Sequence, residues 1–130
     1  MKRAFMLFPV LLLTSMAGLF AEDHRQSVKV YVSKKGSDQW SGKLAGPNAS
    51  NTDGPLGTLE VAQARVRSLL NEQAAPIEVV IRGGTFRLEE PLVLTPEDSG
   101  RQEMPVVWTS YPGERVIISG GNTDLAWLPN

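Results

Sequence analysis

The apolar positions change their period along the chain. Val28-Lys29-Val30-Tyr31-Val32 alternates, with three valines on one face and Lys29 and Tyr31 on the other. That pattern predicts a half-buried strand. Residues 33–57 have neither a two-residue nor a helical period. Fifteen of these 25 residues are Gly, Pro, Ser, Asn or Asp, so the stretch reads as a long loop. Loops of this length in compact domains are usually functional or disordered. From Thr58 to about Gln73 the period becomes helical: Leu59, Ala62, Val66, Leu69 and Leu70 form one stripe, with Arg65 and Arg67 outside it and expected to face water. Thr58 is the expected N-cap and Glu60 lies in the first turn, where the helix dipole favours an acid. Ala74-Ala75-Pro76 ends the helix.

Beyond Pro76 short strands are predicted at 77–82, 85–88, 92–94, 105–110 and 115–119, separated by Gly83-Gly84, a polar loop over 95–103, and Tyr111-Pro112-Gly113-Glu114. No helix-period segment separates them, which excludes βαβ units there. Val79-Val80-Ile81 and Val116-Ile117-Ile118 are apolar at adjacent positions, as suits strands covered on both faces or stacked in a solenoid. The centres Val80, Val93, Val107 and Ile117 give no fixed repeat.

The first 21 residues read as an address. Lys2 and Arg3 precede an apolar run that gives way to smaller residues, the layout of a secretory signal peptide cleaved near Ala17 or Ala21. Pro9 and the Thr14-Ser15 pair weaken a retained membrane span, and no cysteine follows that could carry a lipid. The organisation predicted is signal peptide 1–21, lead-in strand and long loop 22–57, helix segment 58–75, and strands over 76–130. The expected location is secreted or periplasmic, without a stable membrane anchor after cleavage.

Composition narrows the chemistry. The net charge of −1 over 130 residues offers no bulk attraction to nucleic acid. Absence of cysteine removes disulfides, thiolate metal sites and thiol nucleophiles. The single histidine, His24, lies in the lead-in and excludes a His-pair metal site.

The order of motifs then resembles a known family. Tyr31-Val32-Ser33 with Gly36-Ser37-Asp38 is similar to the opening strand and turn of secreted right-handed parallel β-helix proteins. Trp40-Ser41-Gly42, Pro47-Asn48, Thr52-Asp53-Gly54-Pro55 and Thr58-Leu59 leading to Ala64-Arg65 resemble the lead into their N-terminal capping helix. Ile81-Arg82-Gly83-Gly84-Thr85-Phe86, the segment 92–100, Tyr111-Pro112-Gly113-Glu114 and Ser119-Gly120-Gly121 complete the likeness. Within this pectate-lyase-like superfamily the chain most resembles bacterial β-helix glycoside hydrolases of the family 141 type, which act on fucosylated or xylose-containing plant polysaccharides. The resemblance implies a mainly β fold: an N-terminal capping helix and the first coils of a right-handed parallel β-helix, incomplete, with catalytic carboxylates on later coils beyond residue 130. It implies a polysaccharide partner; no cofactor is assigned. Stacked coils cover one another's edges, so an uncovered last coil can self-associate through its open C-terminal edge.

Glycoside hydrolysis uses two carboxyls flanking the scissile bond. The acids available include Asp38, Asp53, Glu89, Glu90, Glu97, Asp98 and Glu103, nearly all in turns or beside prolines, where ordinary turn chemistry explains them. No catalytic residue is assigned. The Glu97-Asp98 loop offers oxygen ligands for calcium but lacks EF-hand spacing, and no metal ligand is assigned. Arg82, Arg87 and Arg115 read as a solvated strand face, with an acidic-polysaccharide ladder as the alternative. Trp40 is the one large aromatic residue of the polar loop. Its commoner role is to pin the loop to the body; stacking on a sugar is the alternative and makes Trp40 the candidate substrate-binding residue. Three functions follow: the N-terminal segment of a secreted carbohydrate-active β-helix protein, inactive alone; a secreted carbohydrate-binding or adhesion module; or the remnant of an interrupted gene.

Overall fold

A computed structural model describes residues 26–72 and 75–121. The expected signal segment and its two expected cleavage positions, His24 and Trp127 lie outside the described residues. The elements are β1 (Val28–Val32), α1 (Leu59–Glu72), β2 (Ile77–Ile81), β3 (Gly84–Arg87), a 3-10 turn at Pro96–Asp98, β4 (Val106–Ser110) and β5 (Val116–Ser119). Among the described residues the regular structure is mostly strand with one α-helix, and the strands form no closed barrel.

All strand pairs are parallel. One sheet has the order β1-β2-β4 and the other pairs β3 with β5. Val28 stands opposite Ile77, and Ile77 opposite Val106. In the second sheet Gly84 stands opposite Val116 and Phe86 opposite Ile118. The chain thus passes β2 then β3, and later β4 then β5, laying the second pair on the first. The centres Val80, Val93, Val107 and Ile117 showed no fixed spacing because Val93 lies in no strand and the others fall in two different sheets, Val80 and Val107 in one and Ile117 in the other.

The predicted strand at 92–94 is not formed. Val93 and Leu94 are 63% and 57% exposed in irregular backbone. An apolar run becomes a strand only with a ladder to join, and none of the described strands pairs with this one.

One core unites the elements. Val30, Val32, Ile77, Val79, Ile81 and Phe86 pack with Leu59, Ala62, Val66 and Leu69 of α1, all buried. The predicted apolar stripe is the face that the helix buries. Fully burying a side chain such as Val66 stabilises by roughly 1.5–3 kcal/mol. In β2, Val80 is buried on the opposite face from Val79, as its adjacent apolar run implied. In β5 the expectation fails: Ile117 and Ile118 are 40% and 50% exposed. Ile118 stacks in register on buried Phe86, so it continues an inward column that nothing covers among the described residues.

The opposite edge of the first sheet is closed. Tyr31 donates its N–H to the Gly42 carbonyl at 2.7 Å and accepts from Leu56 N–H at 2.8 Å, while Ser33 N–H donates to the Leu56 carbonyl at 2.8 Å. The long loop therefore occupies the outer edge of β1, which would otherwise present free backbone groups. It is ordered and structural where it could have been loose.

Candidate functional site

The loop is held by two carboxylates that read as turn residues in the sequence. Asp53 Oδ1 accepts from the backbone N–H of Ser41 at 2.7 Å and of Gly54 at 2.9 Å, and its Oδ2 accepts from Ser41 Oγ at 2.9 Å. The Ser41 N–H, then the Ser41 hydroxyl, hold the Asp53 carboxyl below the usual range. Asp38 serves the helix. Its Oδ1 accepts from Gly57 and Thr58 N–H, both at 2.9 Å, and its Oδ2 from Thr58 Oγ1 at 3.1 Å. Thr58 Oγ1 in turn accepts from Val61 N–H at 3.3 Å, which bears out its N-cap role. A carboxylate beside a helix N-terminus is also favoured by the dipole.

Between these acids and α1 lies an open groove of about 620 Å³, lined by Asp38, Gln39, Trp40, Asp53, Arg65 and Ser68, among others. Trp40 is half-buried. A Cβ on Gly54 would stand 2.6 Å from Trp40 Cε3, so the bare glycine backbone is what lets the benzo edge of the indole settle there. Trp40 thus pins the loop and also lines the groove.

Two arginines depart from the sequence reading. Arg67, expected to face water, donates from Nε to Asp98 Oδ1 at 2.6 Å and from an Nη to Asp98 Oδ2 at 2.9 Å. Asp98 is 5% exposed. Its Oδ2 also accepts from Gln63 Nε2 at 2.9 Å and from Thr95 N–H at 2.7 Å. The Arg67 guanidinium, with the Thr95 N–H and Gln63 amide, holds the Asp98 carboxyl well below the usual range. Its acceptor sites face cationic and amide donors, which is the environment of a structural carboxylate rather than a calcium ligand.

Arg82, expected on a solvated strand face, bridges Glu114 with Nε to Oε2 at 2.9 Å and Nη2 to Oε1 at 2.7 Å. It donates further to the Ala45 carbonyl and lies over the Tyr111 ring at 4.4 Å. Arg82 and the Gly83 N–H draw the Glu114 carboxyl down to about 2. Arg87 and Arg115 are exposed, in keeping with the solvated face expected of them. Glu89, Glu90, Glu97 and Glu103 are also exposed. Among the described residues no group of three or more His, Asp or Glu could hold a metal ion.

Asp38 and Asp53 are therefore the two predicted acids that share a site with Trp40. The remaining predicted acids lie elsewhere. Arg65 and Gln39 join the groove though neither was a candidate in the sequence, because the loop and the helix meet only in the fold.

No family model matches this sequence, and no curated protein matches it. A solved structure described as a glycoside hydrolase is similar: it is 28% identical, with a TM-score of 0.63, over 74% of this chain. The chain spans about 15% of the length of that protein. The fold described above is thus like one segment of a glycoside hydrolase.

Proposed function

We propose that this chain is the capped N-terminal portion of a right-handed parallel β-helix, in a secreted or periplasmic protein that acts on polysaccharides. The observation that carries the reading is the stacking of β4-β5 on β2-β3 in parallel register, closed at β1 by the loop and α1 and, among the described residues, uncovered at β5. Parallel crossovers in one sheet are right-handed in nearly all proteins. Exposed Ile118 above buried Phe86 is the place where a further coil would sit. The similar glycoside hydrolase, matched over a small share of its length, supports both the substrate class and the continuation. The finer assignment is to pectate-lyase-like enzymes of the family 141 type.

On this reading the chain alone performs no hydrolysis, because paired catalytic carboxylates belong to later coils. The partner is a polysaccharide. The same reading includes neither nucleic acid nor a membrane among the partners. Among the described residues no strand pairs with the far edges of β4 and β5, and on this reading the isolated chain self-associates through the β4–β5 edge.

The test is a reducing-sugar assay on fucosylated, xylose-containing and pectic polysaccharides, run beside a reading of the DNA downstream of codon 130. The expected result is no turnover by the 130-residue chain, and downstream coding sequence for further coils whose joined product releases sugar. Rapid turnover by the 130-residue chain alone overturns the assignment of catalysis to later coils. Failure of the joined product on every polysaccharide overturns the substrate class.

A further inference from the structure

We infer that the groove between the Trp40 loop and α1 is a subsite for one unit of a neutral oligosaccharide. The inference rests on the polysaccharide reading above and adds which part of this chain touches the sugar. A volume of about 620 Å³ falls within the range of small-ligand sites, roughly 300–1,000 Å³.

The chemistry of the lining is that of a polyol site. Trp40 leans one edge on Gly54 and leaves part of its ring to the groove, where the apolar face of a pyranose can lie. Its indole N–H is donated to no described residue, and no buried side-chain nitrogen or oxygen lacks a partner among the described residues, so this donor is open to solvent. The acceptors stand ready as well. Asp38 Oδ2 receives the Thr58 hydroxyl and Asp53 Oδ2 receives the Ser41 hydroxyl, which leaves each oxygen a second acceptor site. Both carboxylates are fixed by backbone N–H groups, so they need little ordering when a hydroxyl arrives. Gln39 and Arg65 add donors at the rim.

Charge selects the sugar. Two carboxylates against one guanidinium leave the lining net negative, with Lys43 acting on Asp53 from outside it, so the groove gathers no cationic cluster for a uronate and suits neutral units. This makes the groove a place where the protein holds a neutral stretch of its polymer, away from the open edge where later coils would stack.

The test uses the indole N–H signals of the full chain in 1H–15N spectra. Three tryptophans are present, and Trp40→Phe identifies its own signal by loss. Xylohexaose, cellohexaose and hexagalacturonate are the probes. The expected result is a saturable shift of the Trp40 signal with a neutral hexasaccharide, with Kd on the order of 1 mM, and none with hexagalacturonate. Arg65→Ala and Gln39→Ala leave the fold intact and are expected to weaken binding about threefold or more. Trp40→Ala is expected to weaken it about tenfold, with its melting curve checked because the ring also pins the loop. A Trp40 signal unmoved by every neutral probe overturns the subsite. If an insoluble polysaccharide still retains the chain in that case, the polysaccharide reading survives; if none does, both fall. A shift with hexagalacturonate alone overturns the neutral selectivity and with it the proposal.

Discussion

Arg67 grips Asp98 at two points across 31 residues of sequence, through bonds of 2.6 and 2.9 Å. The pair ties the outer side of α1 to the loop that follows β3. Gln63, one turn earlier on the helix, reaches the same carboxylate and the Val93 carbonyl. The helix is therefore fixed on two sides: its apolar stripe enters the core, and its polar flank clamps the 93–98 loop.

Asp98→Asn tests this clamp. The substitution keeps the shape but removes the charge that Arg67 and the Thr95 N–H require. With Asp98 buried and Arg67 partly in solvent, the expected loss is about 1–3 kcal/mol, read as a lower urea midpoint at unchanged slope. No change in midpoint would mean that the helix is held by its apolar stripe alone. A double-mutant cycle with Arg67→Gln should show coupling between the two sites.

Gly54 and Gly46 make a matched comparison in the same loop. A methyl at Gly54 would meet Trp40 Cε3 at 2.6 Å and the Pro47 Cα at 3.0 Å, whereas one at Gly46 meets nothing within 4 Å. Gly54→Ala should cost about 1–3 kcal/mol by forcing the indole or the loop to move. Gly46→Ala should be neutral or slightly stabilising. Thermal melts of the two variants check this; equal midpoints would show that the Trp40 contact does not constrain the loop.

The elements with local signals were legible and the long-range ones were not. The helix follows from a stripe and a cap within one turn: Thr58 and Val61 are three residues apart. Strands β1, β2, β4 and β5 each lie within a residue or so of where their apolar runs place them. The run 92–94 misled because apolar character signals burial, while a strand also needs a partner ladder. Arg67 and Arg82 misled for a different reason. Charge on an amphipathic face predicts water unless an acid arrives from elsewhere, and Asp98 and Glu114 arrive from 31 and 32 residues away. The same holds for the groove. Asp38 reaches Thr58 across 20 residues and Asp53 reaches Ser41 across 12, so no short window brings them together. Trp40 alone was singled out, because a lone indole in a polar loop is conspicuous.

Acid should loosen the chain through the three carboxylates that their partners hold low, Glu114, Asp98 and Asp53. Glu114 falls from an ordinary 4.5 to about 2 in the fold, chiefly through Arg82. A group whose pKa is depressed on folding contributes stability that is fully present above its unfolded value and is lost as pH falls through its folded one. The Glu114 contribution should therefore fade between about pH 4.5 and 2. Asp98, lowered from 3.8, should fade over a window that starts lower and extends further into acid. Glu114→Gln should flatten the upper part of the stability profile between pH 5 and 3, and leave the lower part to Asp98 and Asp53. An unchanged profile in that variant would mean that the Arg82 pair is screened by solvent.

The open end of the stack gives the last expectation. Val107 and Ile117 are 48% and 40% exposed on the outward faces of β4 and β5, strands with no further partner among the described residues. Exposed apolar edge strands recruit other edges, and natural sheets prevent this with charge, especially lysine. The isolated chain should therefore associate as its concentration rises. Val107→Lys and Ile117→Lys should each shift sedimentation toward the monomer, and the double variant more so. Neither position touches the core columns of Val79 and Phe86, so melting temperature should change little at low concentration. Lysine at Lys43, on the loop that covers β1, supplies the contrast: Lys43→Ala should leave association unchanged because that edge is already occupied by Gly42 and Leu56. If the Val107 and Ile117 variants associate as readily as the parent chain, the contact lies on another surface, and the open-edge account of self-association is wrong.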